Sequence, residues 1–171
     1  GPCIGVGHLA LRPGPPLCRM RGLVIGLDGR VEGPEGHPLA DACGELARLY
    51  LQDGVDGFAK LRGDFAAVIW DATADRLVCA RDALGARPLF YASEPTGFAF
   101  ASEERGLLPV LADEGVEDLR MAEFLLGVPP PADRGQRSSV FRVPPGAAVV
   151  VSRQGLVVRR FAALDMPPPT T

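Results

Sequence analysis

Residues 63–91, GDFAAVIWDATADRLVCARDALGARPLFY, constrain the fold of this chain more than any other stretch. Three strand-like runs lie in it, each closed by its own turn chemistry. Residues 65–70, Phe65 to Trp70, are apolar throughout, a pattern shared by a strand covered on both faces and a buried helix. The length of six and the flanks, Gly63 before and Asp71-Ala72-Thr73-Ala74-Asp75 after, favour the strand. Residues 76–81 answer it across that turn, so a hairpin is expected. Arg81-Asp82-Ala83-Leu84-Gly85 then interrupts, residues 88–91 begin a third strand, and residues 97–102 follow as a fourth after Pro95-Thr96-Gly97. The expected topology is an antiparallel meander. Arg81 and Asp82 are expected to pin the turn into Leu84-Gly85 by side-chain-to-backbone bonds, with Gly85 at positive φ. Asp71 is likewise read first as a turn residue.

Gly63-Asp64-Phe65-Ala66, Trp70-Asp71, Ala80-Arg81-Asp82, Gly85 and Arg87-Pro88-Leu89-Phe90-Tyr91 together resemble a family string, GxFA…WD…ARDxxGxxPLYY. It is that of the N-terminal glutaminase domain of asparagine synthetases, a class II glutamine amidotransferase. The family's FASExxxLL is matched by Phe100-Ala101-Ser102-Glu103-Glu104-Arg105-Gly106-Leu107-Leu108, and its "F.GV..LPPG" by Val140-Phe141-Arg142-Val143-Pro144-Pro145-Gly146. The likeness runs from about residue 23 to 161. Fold does not carry function with it, so the catalytic positions are weighed separately.

In such glutaminases the mature chain begins with a cysteine whose thiolate attacks the glutamine amide while its free α-amine serves as base. An α-amine titrates near pH 8, whereas a peptide nitrogen is no base. Cys3 is the one candidate, and two residues precede it; Gly1-Pro2 reads as a cleavage scar. By the same resemblance an Asn-Gly-Glu at a strand end supplies an oxyanion-hole amide, and the stretch counted from Leu23-Val24-Ile25 reads Gly26-Leu27-Asp28. Losing one such donor typically costs about 100- to 1000-fold in rate. The family's Ser-Asp-x-Glu holds the substrate ammonium; counted back from Tyr50, its aspartate falls at Ala42 and its glutamate at Gly44. Asp41 and Glu45 lie one residue away. About twenty residues separate Cys3 from Gly26, roughly a third of the family's span, and the arginine that clamps the substrate carboxylate has no counterpart beyond Arg12, Arg19 and Arg21. Gly26, Leu27, Asp28, Ala42 and Gly44 are therefore read as a degenerate pocket.

The resemblance extends to β-lactam synthetases, carbapenam synthetases and lasso-peptide cyclases, which keep this domain as a scaffold. They activate a carboxylate with ATP and Mg²⁺ in a C-terminal domain. The expectation is a degenerate glutaminase-like domain over residues 1–166 with a tail or linker stub at 167–171, beside an amide-forming synthetase. No cofactor is expected in this chain; ATP and Mg²⁺ are implied only for the synthetase. Expected partners are a synthetase domain or subunit, a peptide substrate and, for the chain alone, a second copy. The rivals are an active glutamine amidohydrolase using Cys3 and a free-standing peptide or protein binding module. About eight short strands and four helices, the strands clustered and not alternating with helices, argue an α+β fold on their own, and the resemblance sharpens it to the four-layer α-β-β-α sandwich of N-terminal-nucleophile hydrolases.

Composition agrees with one domain. The chain has 171 residues, 47% of them apolar, and Gly with Pro makes 38, short of low-complexity disorder. A net charge of −3 recruits neither nucleic acid nor an anionic membrane. Cys3, Cys18, Cys43 and Cys79 form no C-x-x-C, and His8 and His37 are not spaced with them as a metal site requires. Neither a signal peptide nor a membrane-length apolar run is read, so the expected location is cytoplasmic and the cysteines are expected to be reduced. Cys79 reads as a buried small hydrophobe.

Elsewhere, residues 3–11 and 17–26 are expected as strands and Asp28-Gly29 as a hairpin turn. Helices are expected at 39–51, 55–61, 103–111 and 116–126, with Ser102 as an N-cap and the helices 39–51 and 116–126 on the outer faces. Residues 129–139 read as a loop. Strands at 140–143, 147–152 and 156–161 close the domain. Residues 149–151, 156–158 and 125–131 are the expected partner-facing patch.

Overall fold

The computed structural model describes residues 17–163 except 34–35, 96, 112–114, 130 and 132. The expected strand at 3–11, Cys3 and the tail at 167–171 lie outside the described residues. Two antiparallel sheets make an α+β fold. The larger contains β1 (Cys18–Met20), β2 (Leu23–Glu32), β3 (Arg62–Asp71), β4 (Arg76–Arg81), β8 (Ala147–Ser152) and β9 (Gly155–Arg160), in the order β1-β2-β3-β4-β8-β9. The smaller is β6-β5-β7, with β5 at Phe90–Glu94, β6 at Gly97–Ala101 and β7 at Phe141–Arg142. Helix α1 spans Ala42–Asp53 and helix α2 Asp118–Leu125; Gly54–Lys60 and Glu104–Val110 are 3-10 helices.

Three apolar clusters set the layers. Leu46, Ala47 and Tyr50 of α1 and Phe58 pack on Leu23, Ile25, Val31, Phe65, Ala67, Ile69, Val78, Ala80 and Ala148. The opposite face of the same sheet, Ala66, Leu77, Cys79 and Val149, meets Tyr91 of the smaller sheet, with Phe98, Phe100 and Phe141 around it. The far side of the smaller sheet, Phe90 and Ala92, is covered by Leu107 and Val140. β3 therefore sends Phe65, Ala67 and Ile69 to the helix and Ala66, Val68 and Trp70 to the other sheet. Burial on both faces is why residues 65–70 are apolar without alternation. Trp70 is only half-buried, at the periphery of the inter-sheet cluster.

Several expectations are corrected. The meander is two hairpins in different sheets: β4 pairs β3 and β8, while β5 pairs β6 and β7, and the chain changes sheet between Arg81 and Phe90. β5 begins at Phe90, two residues after Pro88. The strand at 17–26 is broken by a tight turn, with Arg21 at φ 51° and Gly22 at φ 80°. Asp28-Gly29 is no turn but lies inside β2, paired with Ala66 and Phe65. Gly29 is needed there because a Cβ would fall 2.0 Å from the carbonyl oxygen of Asp64.

Both shorter helices are 3-10, and Ser102 caps neither. Glu103 is the residue before the second, without a side-chain cap bond. The outer layer over the smaller sheet is that 3-10 helix; α2 buries no residue. Finally, Cys18 of β1 and Cys43 of α1 are joined in a disulfide, Cα to Cα 6.5 Å, where reduced thiols are expected. Both sulfurs sit against the core under α1, and that common packing is what brings them together.

Candidate functional site

The positions read as a degenerate pocket divide between two faces of the sheet. Leu27 joins Leu23 and Ile25 on the face under α1, where Ala42 also packs. Gly26 and Asp28 take the opposite face, across from Val68 and Ala66. A Cβ on Gly26 would lie 3.5 Å from Leu17 Cδ2, ordinary contact, and Asp28 is exposed. Ala42 and Gly44 form the first turn of α1, and Asp41 is its N-cap: Gly44 N donates to Asp41 Oδ1 at 2.8 Å. The Asp41 carboxylate stands where a side chain at 44 would start, with Oδ2 at 2.1 Å from an ideal Cβ. Glu45 is equally engaged, accepting from Arg48 Nε at 2.8 Å and Nη2 at 2.7 Å. That hydrogen bond holds the Glu45 carboxyl below its ordinary value. The two acids beside the expected positions are thus committed to helix geometry.

The family string forms the passage from one sheet to the other. Arg81 and Asp82 are 5% and 2% exposed, and both are spent on backbone. Arg81 donates from Nε to Arg87 O at 2.6 Å, from Nη1 to Val143 O at 2.7 Å and from Nη2 to Gly85 O. Burial pulls its pKa below the ordinary guanidinium value, the nearby Arg142 charge adds to this, and Asp82 opposes it. The Asp82 carboxylate accepts from the amides of Phe65 (3.2 Å), Leu84 (2.9 Å), Ala86 (3.1 Å) and Arg87 (3.4 Å). Gly85 has φ 64°, and a Cβ there would come within 2.8 Å of Arg81 Nη2. Pro88 is exposed just beyond, and Gly63 pairs with Val31 where β3 begins. Two buried charged groups, fully bonded to main chain, act as the hinge pin between the sheets.

A second polar cluster closes the β3–β4 turn. Asp71, 6% exposed, accepts from Thr73 N at 3.1 Å, Ala74 N at 2.9 Å and the Tyr50 hydroxyl at 3.0 Å. Arg76 Nε donates to that hydroxyl at 2.7 Å. Burial, with the Asp71 acceptor adding and Arg76 opposing, pushes Tyr50 up to about 12. Cys79 is fully buried between the sheets and burial pushes its thiol well up, which suits packing and not nucleophilic chemistry.

Three groups escape the sequence reading. Glu104 accepts from the amides of Gln136 and Arg137, at 2.8 Å and 3.0 Å, fixing the loop before β7 to the 3-10 helix. Arg87 donates to Asp64 Oδ2 from Nε at 3.2 Å and Nη2 at 3.1 Å. Tyr50 sits on an apolar helical face, and no local pattern distinguishes its hydroxyl partner. Only the acid at 104, standing at a helix start, carried any local signal.

Around α2 the surface is apolar. Phe124, Leu125 and Leu126 are 70%, 75% and 78% exposed, with Leu119, Met121 and Val128 also open. Of the expected patch, Val149 is buried between the sheets, whereas Val157 and Val158 are exposed. Among the described residues no helix is long and apolar enough to cross a membrane, and no cluster of three or more His, Cys, Asp or Glu is placed to hold a metal.

A family model described as "Glutamine amidotransferase domain" matches residues 41–162. That span holds α1, the sheet-crossing string and the closing strands, but not Gly26-Leu27-Asp28. Glutamine-hydrolysing asparagine synthetase 3 of Bacillus subtilis is 29% identical over 120 residues, 68% of this chain and 19% of that protein. A putative glutamine-hydrolysing asparagine synthetase of Mycobacterium tuberculosis is 43% identical over 62 residues, 36% of this chain and 10% of that protein. The chain thus spans a fifth or less of the length of these curated relatives. Among solved structures, a glutamine phosphoribosylpyrophosphate amidotransferase from B. subtilis aligns over 85% of this chain and 31% of its own, at 16% identity and a TM-score of 0.43.

Proposed function

The chain belongs to the glutamine amidotransferase domain family, and on that footing we propose that it has lost amide hydrolysis and serves as the scaffold or partner-binding part of an ATP-dependent, amide-forming synthetase. The observation that carries this is the first turn of α1. The position read for the ammonium-holding aspartate is Ala42, that for the glutamate is Gly44, and the neighbouring Asp41 is used up as the helix cap. A substrate ammonium placed there would meet no free carboxylate, and a missing charged hydrogen bond is worth on the order of 1.5–3 kcal/mol. Gly26 and Leu27 bring no side-chain amide to a developing oxyanion. The parent activity would be of the asparagine synthetase, β-lactam synthetase or lasso-peptide cyclase type. ATP and Mg²⁺ belong to the synthetase part in this reading, not to the domain described here.

The exposed apolar side chains around α2 support a partner-binding role. Leu119, Phe124, Leu125 and Leu126 leave an apolar surface of the kind that marks a protein contact. The relatives are five to ten times longer than the segment they share with this chain, so a synthetase portion is the natural occupant.

The test is ammonia release. With millimolar glutamine the chain, freed of Gly1-Pro2 so that Cys3 is first, should release no ammonia above background, and Cys3→Ala should change nothing. Release abolished by that substitution would overturn the reading and make the domain a working amidohydrolase.

A further inference from the structure

β9 is the last strand of the larger sheet, and among the described residues no strand pairs with it on the side away from β8. The two-residue Arg153-Gln154 connection makes Ser152 and Gly155 the closing pair of the β8–β9 hairpin. That pair exchanges both hydrogen bonds, and every second pair after it does the same. Gly155, Val157 and Arg159 therefore turn their main-chain groups toward β8, while Leu156, Val158 and Arg160 turn theirs outward. Natural edges are blunted by shortness, by charged side chains, by Pro or by bulges, and β9 carries charge only at its far end, at Arg159 and Arg160. β9 runs six residues in unbroken register, without Pro. Val157, opposite Val150, is 58% exposed on the α1 face, and Val158, opposite Val149, is 48% exposed on the other.

We propose that β9 pairs antiparallel with β9 of a second copy, about a two-fold axis through Val157, joining two six-stranded sheets into one. This goes beyond the synthetase reading and rests on none of it. A two-fold perpendicular to the sheet keeps every residue on its own face, so residues of the same parity must face each other. Centred on Val157, Leu156 and Val158 of one copy face Val158 and Leu156 of the other, and these are the residues whose amides and carbonyls point outward. Val157 faces Val157, and Arg159 faces Gly155. The apolar side chains cover one another on both faces, and no arginine stands opposite an arginine. Shifting the axis to Val158 would set Val157 against Arg159 and Leu156 against Arg160. The strand selects its own register. A contact of this length buries less than a standard interface of about 1,600 Å², so the dimer forms at high concentration.

Sedimentation equilibrium of the whole chain, from low micromolar to near-millimolar, is the test. A monomer–dimer equilibrium is expected. Val158→Pro removes only an outward donor, and Val157→Lys sets like charges across the axis. Each should raise the dimer dissociation constant about tenfold or more, with circular dichroism showing the fold retained. A second arm does not depend on those variants folding. In a Cys3→Ala background, oxidised glutathione should link Val157→Cys chains into dimers but leave Val158→Cys chains unlinked. Two thiols give up two protons and two electrons, and the reagent disulfide is reduced to two thiols. Linking at 158 and not 157 would overturn the register. A chain monomeric throughout, or a dimer that survives both β9 variants and is lost on Phe124→Ser, would overturn the proposal. So would a monomer whose β9 amides are protected only by an added extended peptide.

Discussion

Asp82 and Phe65, seventeen residues apart, are bonded in both directions: Asp82 N donates to Phe65 O at 3.0 Å, and Phe65 N donates to Asp82 Oδ2 at 3.2 Å. The side chain thus replaces the strand partner that β4 no longer supplies once it has ended at Arg81. It holds the start of the apolar strand while the chain leaves for the other sheet. The same carboxylate takes three further amides from the turn.

Asp82→Ala should therefore be among the most damaging substitutions in the protein. It strands the buried Phe65 N–H, at about 1–3 kcal/mol, and three partly buried turn amides at once. A loss of at least about 3 kcal/mol is expected by urea unfolding, with Asp82→Asn in between because one acceptor oxygen remains. A change under about 1 kcal/mol for the alanine variant would show that the turn is held by its backbone alone.

Tyr50 should make stability fall in alkali. Its folded-state pKa of about 12 lies above the ordinary value of 10. Below pH 10 the phenol is protonated in both states and the contribution is complete. Between 10 and 12 the unfolded chain releases the proton first, so stability declines as pH rises through that window. Thermal melts across it should show a steeper loss for the native chain than for Tyr50→Phe. Equal slopes would place the hydroxyl in water.

Gly29→Ala distinguishes an interior strand position from a hairpin turn. At φ 109°, with Asp64 O only 2.0 Å from the new Cβ, the substitution should cost about 2 kcal/mol or more and loosen the β2–β3 ladder near Phe65. Amide exchange at Phe65 and Asp64 reports it directly. In an exposed Asp-Gly turn the same change would be felt only locally.

The Cys18–Cys43 link closes a loop over a sequence separation of 25, which in the chain-entropy account is worth about 3 kcal/mol. Reductant and Cys43→Ser should lower the melting temperature by a similar amount, and reductant should do nothing further to the variant. A native melt indifferent to reductant would mean that the two thiols stay apart in solution.

Much of the site was legible because its signals are local. Asp71 at the β3–β4 turn, and Arg81, Asp82 and Gly85 at the passage between sheets, were read from turn chemistry, and each side chain is bonded to backbone a few residues away. The family string was readable for the same reason. Asp41 stands one residue from the position that the resemblance implies. Its role is set by the bond from the Gly44 amide, which makes it the cap of α1.

The sequence by itself determined, to within a few residues, where the strands from β3 onward and the first helix form, which residues are apolar enough to be covered on two sides, and which family the domain joins. Periodicity and turn residues act within a few positions, so they are written in order along the chain. Tertiary structure alone decided that β4 and β5 part into different sheets, that Asp28-Gly29 runs straight through β2, that Cys18 meets Cys43, and that α2 stands clear of the core. Each of these turns on which distant surface is available to be buried or bonded. Leu119, Ala122 and Leu126 have the helical spacing of core residues, but spacing specifies a face and not its neighbour; α2 buries none of its residues, so that face stays open to solvent.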